Sequence, residues 1–214
     1  CRVGLSHSAP FVQACRPKFL PDVLCARVRD HVLNDLTFRF LGKDPAAHLD
    51  YLGINYYTRT VVRWRPFGMG AVFGKDCVAN HHGQDRVYSD LGWEVFPAGL
   101  TEVLRHFQYL GVPLMITENG VATTDETLRR SYLSEHLAAL GKAMDEGINI
   151  IGYLYWTLMD NFEWSAGWGP KFGLAETTRD TLDRIPRDTA SLLAEVCQNW
   201  ELPIATGTYS NDLS

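Results

Sequence analysis

A chain of 214 residues with 46% apolar content can bury one substantial core and suits one domain, or at most two. The formal charge of −5 is mild and neither acids nor bases form a long run, which argues against a nucleic acid or a membrane surface as partner. No apolar stretch reaches the roughly 18 residues that a membrane-crossing helix needs, so a soluble globular protein is expected.

The opening residues, CRVGLSHSAPF, lack both a starting methionine and the charged-then-apolar pattern of a signal peptide, so a chain cut from something longer is expected. An extended segment is predicted around residues 3–12, and a helix after Pro21. In that helix Leu24, Val28, Val32, Leu36 and Phe40 recur every four residues, and Gly42 is a natural stop. A short apolar strand, YLGINYY, follows at 51–57. Residues 58–92 read as a long irregular segment rich in Gly and aromatics.

A second helix is predicted from Pro97, with Leu100, Val103, Leu104, Phe107 and Leu110 on one face and Gly111 to end it. The strand VPLMITE comes next. A third helix, about 125–146, places Leu128, Tyr132, Leu133, Leu137, Leu140 and Met144 on its buried side before Gly147 turns the chain into INIIGYLYWTL. A last helix near 188–200 completes four βα units. Apolar strands alternating with amphipathic helices predict a parallel sheet covered by helices, an α/β fold.

In such sheets chemistry gathers at the carboxyl ends of the strands. Asn55 and Tyr57 end one strand, Glu118 and Asn119 the next, and the run from Trp156 to Glu163 follows the last. Carboxylates, amides and the flat faces of Trp156 and Trp164 suit a sugar, whose hydroxyls need polar partners and whose C–H face packs on an indole. There is no Ser-His-Asp set, phosphate-cradling glycine loop or metal-ligand spacing. Neither metal nor cofactor is expected. His81-His82 lies in a polar loop without a third ligand. Asp160 and Asn161 read as a turn or cap, and the context of Glu94 and Glu176 offers no convergent partner.

The cysteines, Cys1, Cys15, Cys25, Cys77 and Cys197, are odd in number and scattered, which points to free thiols in a reducing compartment. No Asn-x-Ser/Thr acceptor occurs, in keeping with a cytoplasmic location.

Four stretches, LGINYYT, GWEVFPAGL, ITENG and GYLYWTLMDNFEWSAGWGPKFGL, resemble in order and spacing the second half of a family 1 glycoside hydrolase of the β-glucosidase type. The resemblance implies a (β/α)8 barrel, of which residues 1–214 form one part, strands five to eight. It implies Glu118 as nucleophile and Tyr57 as the residue orienting it. Asn55, Trp156, Glu163, Trp164 and Phe172 would hold the sugar, and Trp93 and Trp168 are candidates for the leaving-group side. Keeping Glu163-Trp164, with Phe172 where the phosphoglycoside branch has a tyrosine, implies an unphosphorylated β-glucoside, β-galactoside or β-fucoside.

The family's acid/base glutamate sits in an Asn-Glu-Pro motif, and none occurs in these residues. Four βα units also cannot close an eight-stranded barrel. The expected partners are therefore a small β-glycoside and an N-terminal half-barrel, in cis or in trans. Self-association into a sugar-binding half-barrel without catalysis is the alternative.

Overall fold

The computed structural model describes residues 1–41, 44–77 and 86–201; Gly42, His81 and His82 lie outside this set, as does the side chain of Phe40. The strands are β1 (Gly4–Ser8), β2 (Phe11–Ala14), β3 (Tyr51–Asn55), β4 (Arg59–Arg63), β5 (Lys75–Asp76), β6 (Leu114–Asn119), β7 (Ile150–Tyr155), β8 (Ala175–Thr177) and β9 (Arg184–Pro186). The α-helices are α1 (Leu20–Asp30), α2 (Pro97–Phe107), α3 (Glu126–Asp145) and α4 (Asp188–Asn199).

β1, β3, β6 and β7 form one sheet in that order, and every pairing is parallel. Parallel neighbours need a crossover, which α1, α2 and α3 supply in the expected alternation. One face of the sheet carries Leu52, Ile54, Leu114 and Ile116, all buried against Leu104 and Phe107 of α2 and Leu133 and Leu137 of α3. Each such side chain contributes about 1.5–3 kcal/mol on leaving water. By strand alternation the other face carries Ser6, Gly53, Asn55, Met115 and Thr117, smaller and more polar.

The helix ends are set by sequence signals. Asp125 caps α3 by accepting from the backbone N–H groups of Thr127 and Leu128 at 2.8 and 3.3 Å. Past α2 a short 3₁₀ turn ends at Gly111, whose φ of 68° is the left-handed conformation that favours glycine.

Four expectations are corrected. The extended run at 3–12 is two strands, separated at Ala9-Pro10 and placed in different sheets, because β2 turns away to pair in parallel with β4. Residues 58–92 contain β4 and β5, the rest of that second sheet. The stripe Leu24, Val28, Val32 and Leu36 is exposed, by 37% or more at each position. Helix α1 packs its other side, Cys25 and Ala26, on Val62 of β4, and then gives way to a π turn at His31–Asp35 that breaks the period of four. Met144 is likewise 46% exposed near the end of α3. The two outer strands of the four-stranded sheet, β1 and β7, each have one neighbour in it.

The cysteines are less scattered in space than in sequence. Cys15 and Cys77 bring their sulfurs to 2.7 Å, and burial, followed by the contact with Cys77, pushes the Cys15 thiol up to about 12.

Candidate active site

The carboxyl ends of β3, β6 and β7 deliver the polar residues to one rim. Leaving β3, Tyr56 turns inward, fully buried, and its hydroxyl donates to the Phe96 carbonyl at 2.6 Å. Tyr57 therefore emerges on the opposite side. Its hydroxyl donates to Oε2 of Glu118, at the end of β6, at 2.6 Å. Burial, then the bond to Glu118 and the negative charges of Glu118 and Glu163, hold the Tyr57 phenol well above its usual range. It stays protonated at any working pH, a fixed donor to the carboxylate.

Asn55, the last residue of β3, accepts on Oδ1 from Thr117 at 2.6 Å and from Ser6 at 3.0 Å. With that oxygen engaged by two strand hydroxyls, its NH₂ group remains the donor for a ligand. Beyond β7, the indole N–H of Trp156 donates to Oε1 of Glu163 at 3.2 Å, and the Trp156–Thr157 peptide bond is cis. Trp156 and Glu163 are half-buried. Trp164 is 84% exposed and sits in the left-handed region at φ 47°.

Phe172 is 2% exposed and stands behind the site, its ring centroid 6.1 Å from Tyr57 and 6.2 Å from Trp93. It braces those rings and offers a ligand almost no surface. Trp93 tilts over Tyr57 at 5.5 Å, and Trp168 packs edge-on against Phe162. A crevice of about 130 Å³ beside Tyr57 is lined by Ser8, Pro10, Asn55, Tyr57, Thr58 and Trp93.

Asn119 does not join this rim. It is fully buried, with Nδ2 donating to the Tyr56 carbonyl at 2.8 Å and to the Tyr132 hydroxyl at 2.9 Å, while Oδ1 accepts from Tyr153 at 2.9 Å. It fixes the strand ends instead. Gly120 has an equally mechanical role, because a Cβ there would overlap the backbone carbonyl of Trp156. The stretch Glu118-Asn119-Gly120 thus contains a site carboxylate, a buried clamp and a close-approach glycine.

Asp160 is structural, as read from the sequence. Burial raises its pKa, but a fork from Arg187 at 2.8 and 3.1 Å and the Gly173 N–H outweigh this and hold it below the usual carboxylate range. Glu94 departs from its reading: Arg59 grips it at 2.8 and 2.9 Å, and both are buried. Arg129 lies outside the expected site residues. Fully buried, it donates to the carbonyls of Val121, Thr123 and Lys171 and so ties the loop after Glu118 to the segment before Phe172. Its signal was a charge set three and four residues before Tyr132 and Leu133 on the inner side of α3.

Among the described residues no group of three or more His, Cys, Asp or Glu gathers as metal ligands, and no helix is long and apolar enough to cross a membrane.

A parallel sheet covered by helices on one face, with a tyrosine-bound carboxylate, an indole-bound carboxylate and an oriented amide at its strand ends, defines the ligand-facing end of part of an α/β barrel. The chain belongs to glycosyl hydrolase family 1, whose model matches residues 28–202. It is 35% identical over 162 residues to a β-galactosidase of Pyrococcus woesei, covering 70% of this chain and 32% of that protein. It is 35% identical over 202 residues to a chloroplastic galactolipid galactosyltransferase of Arabidopsis thaliana, covering 92% of this chain and 29% of that one. A β-glycosidase structure from Pyrococcus horikoshii superposes with a TM-score of 0.85 at 31% identity, over 94% of this chain and 49% of that one. The chain therefore spans about a third of these curated relatives, and the fold is a part of the family's (β/α)8 barrel.

Proposed function

We propose that the chain carries the nucleophile half of a retaining β-glycosidase, with Glu118 as the attacking carboxylate. The observation that carries this reading is the 2.6 Å bond from Tyr57 to Glu118 Oε2. A donor that cannot ionise at working pH favours the charged carboxylate and fixes its aim. Glu118 attacks the anomeric carbon and the glycosidic oxygen leaves with the bonding electrons, taking a proton from a second carboxyl group. Water then cleaves the glycosyl ester with net retention.

Trp156 forms the platform under the sugar, and its N–H sets Glu163 to accept from ring hydroxyls. Asn55 donates from its free NH₂ group, Trp164 closes over the ring and Phe172 braces Tyr57 from behind. The substrate is an unphosphorylated β-glucoside, β-galactoside or β-fucoside, in line with relatives described as β-galactosidase, β-glucosidase A and β-D-glucosidase/β-D-fucosidase. The acid/base carboxyl comes from outside these residues, on further barrel strands that pair with the open edges of β1 and β7. A reducing, cytoplasmic setting suits the cysteines.

The test is a burst experiment with 2,4-dinitrophenyl β-glucoside, whose leaving group needs little protonation. The chain should release about one equivalent of dinitrophenolate for one nucleophile per site, and the α-anomer none. Binding of the β-glucoside without any release would replace this reading by a non-catalytic sugar-binding role.

A further inference from the structure

Two guanidinium groups beside the site share one carboxylate. The side chains of Arg59, Arg86 and Glu94 are 3%, 7% and 8% exposed. Arg59 takes Glu94 in a fork, with Nε 2.9 Å from Oε2 and Nη2 2.8 Å from Oε1. Arg86 reaches Oε2 only through Nη1, at 3.5 Å, and its Nε–H is buried without an acceptor. A buried charged donor left unpaired is destabilising. Arg86 is thus held with hydrogen-bonding capacity that the described protein groups leave unused.

The group borders a cavity of about 560 Å³, whose wall also includes Thr58, Arg59, Asp76, Trp93 and Glu94. That volume falls in the usual range for small-molecule sites. Thr58 and Trp93 also line the crevice beside Asn55 and Tyr57, so the two spaces meet across one indole. The second carboxylate of the wall, Asp76, is 79% exposed and already bonded to Arg29.

We propose that this cavity is the leaving-group side of the site and takes an anionic aglycone, an aromatic ring bearing a carboxylate. The carboxylate accepts from Arg86, and the ring lies against Trp93. A planar guanidinium suits a carboxylate better than a neutral acceptor does, because two N–H groups can meet two oxygens and the bonds are charge-assisted. The proposal rests on the glycosidase reading, which places the sugar at Glu118 and its leaving group beyond Tyr57 and Trp93.

The experiment is calorimetric titration of the chain with 4-carboxyphenyl β-glucoside, with its neutral isostere 4-carbamoylphenyl β-glucoside, and with 4-hydroxybenzoate alone. The wild type should bind the carboxylate glycoside about tenfold or more tightly than the amide, the scale of a charged hydrogen bond. Arg86→Met should abolish that preference and leave binding of the amide unchanged. Arg86→Lys, which keeps the charge and the fold if the Met variant does not, should retain part of it. Equal binding of the two glycosides by wild type, or a preference that survives Arg86→Met, overturns the anionic subsite while leaving the glycosidase reading intact. Binding of 4-hydroxybenzoate that depends on Arg86 and gains nothing from an attached glucose upholds the anion site and overturns the sugar site beside it. No binding of any probe overturns both.

Discussion

The hydroxyl of Tyr57 and Oε2 of Glu118 lie 2.6 Å apart although 61 positions separate the two residues, because β3 and β6 are neighbours in the sheet and both end at this rim. A hydrogen bond to a charged group contributes about 1.5–3 kcal/mol. Tyr57→Phe should therefore slow attack on an activated β-glucoside by about 10- to 100-fold if the bond is worth as much in the transition state. Stopped-flow release of dinitrophenolate reads the rate, and an unchanged circular dichroism spectrum would confine the effect to the site.

His136 gives a pH dependence of stability. It is fully buried, stacks on Tyr132 at 3.8 Å and donates from Nδ1 to the Tyr132 carbonyl at 2.8 Å, and burial lowers its pKa from 6.5 to about 3. Below pH 6.5 the unfolded chain binds a proton that the folded one refuses, so this contribution is complete above 6.5 and lost as the pH falls towards 3. Replacing His136 by Phe should reduce the stability difference between pH 7 and pH 5 by about 2 kcal/mol, measured by urea unfolding.

Arg129→Met removes the donor to the buried carbonyls of Val121 and Thr123 and leaves that of Lys171 with the Thr123 N–H alone. The loss should be about 3–5 kcal/mol, typical of a broken buried charged network. Thermal unfolding in parallel with sugar binding would check this, since the loop after Glu118 should loosen first.

Gly120→Ala places a methyl group against the Trp156 carbonyl. Relief requires the ends of β6 and β7 to separate, at about 1–3 kcal/mol for overpacking. Because Glu118 and Trp156 flank that contact, binding of a β-glucoside should weaken along with stability, which titration calorimetry would detect.

Periodicity made the sheet and its covering helices legible: Leu52, Ile54, Leu114 and Ile116 read as continuous apolar strands and are buried as such. Helix α1 departs from expectation because a period of four says that a face is apolar but not what covers it, and among the described residues nothing covers that face. Glu118 and Tyr57 were legible as polar residues at strand ends. Asn119 looked the same in sequence yet faces inward, since the register shift between Ile116 and Asn119 reverses the alternation there. The Arg59–Glu94 pair and the Arg129 clamp join residues through tertiary packing alone, and neither periodicity nor local motif encodes such partners.

The most direct test of the central claim is the intact mass of the chain after incubation with a 2-deoxy-2-fluoro-β-glucoside carrying a dinitrophenolate leaving group. The account predicts one fluoroglucosyl adduct, mapped by peptide sequencing to Glu118 and absent in Glu118→Gln. An adduct on another residue, or none at saturating probe, would contradict it.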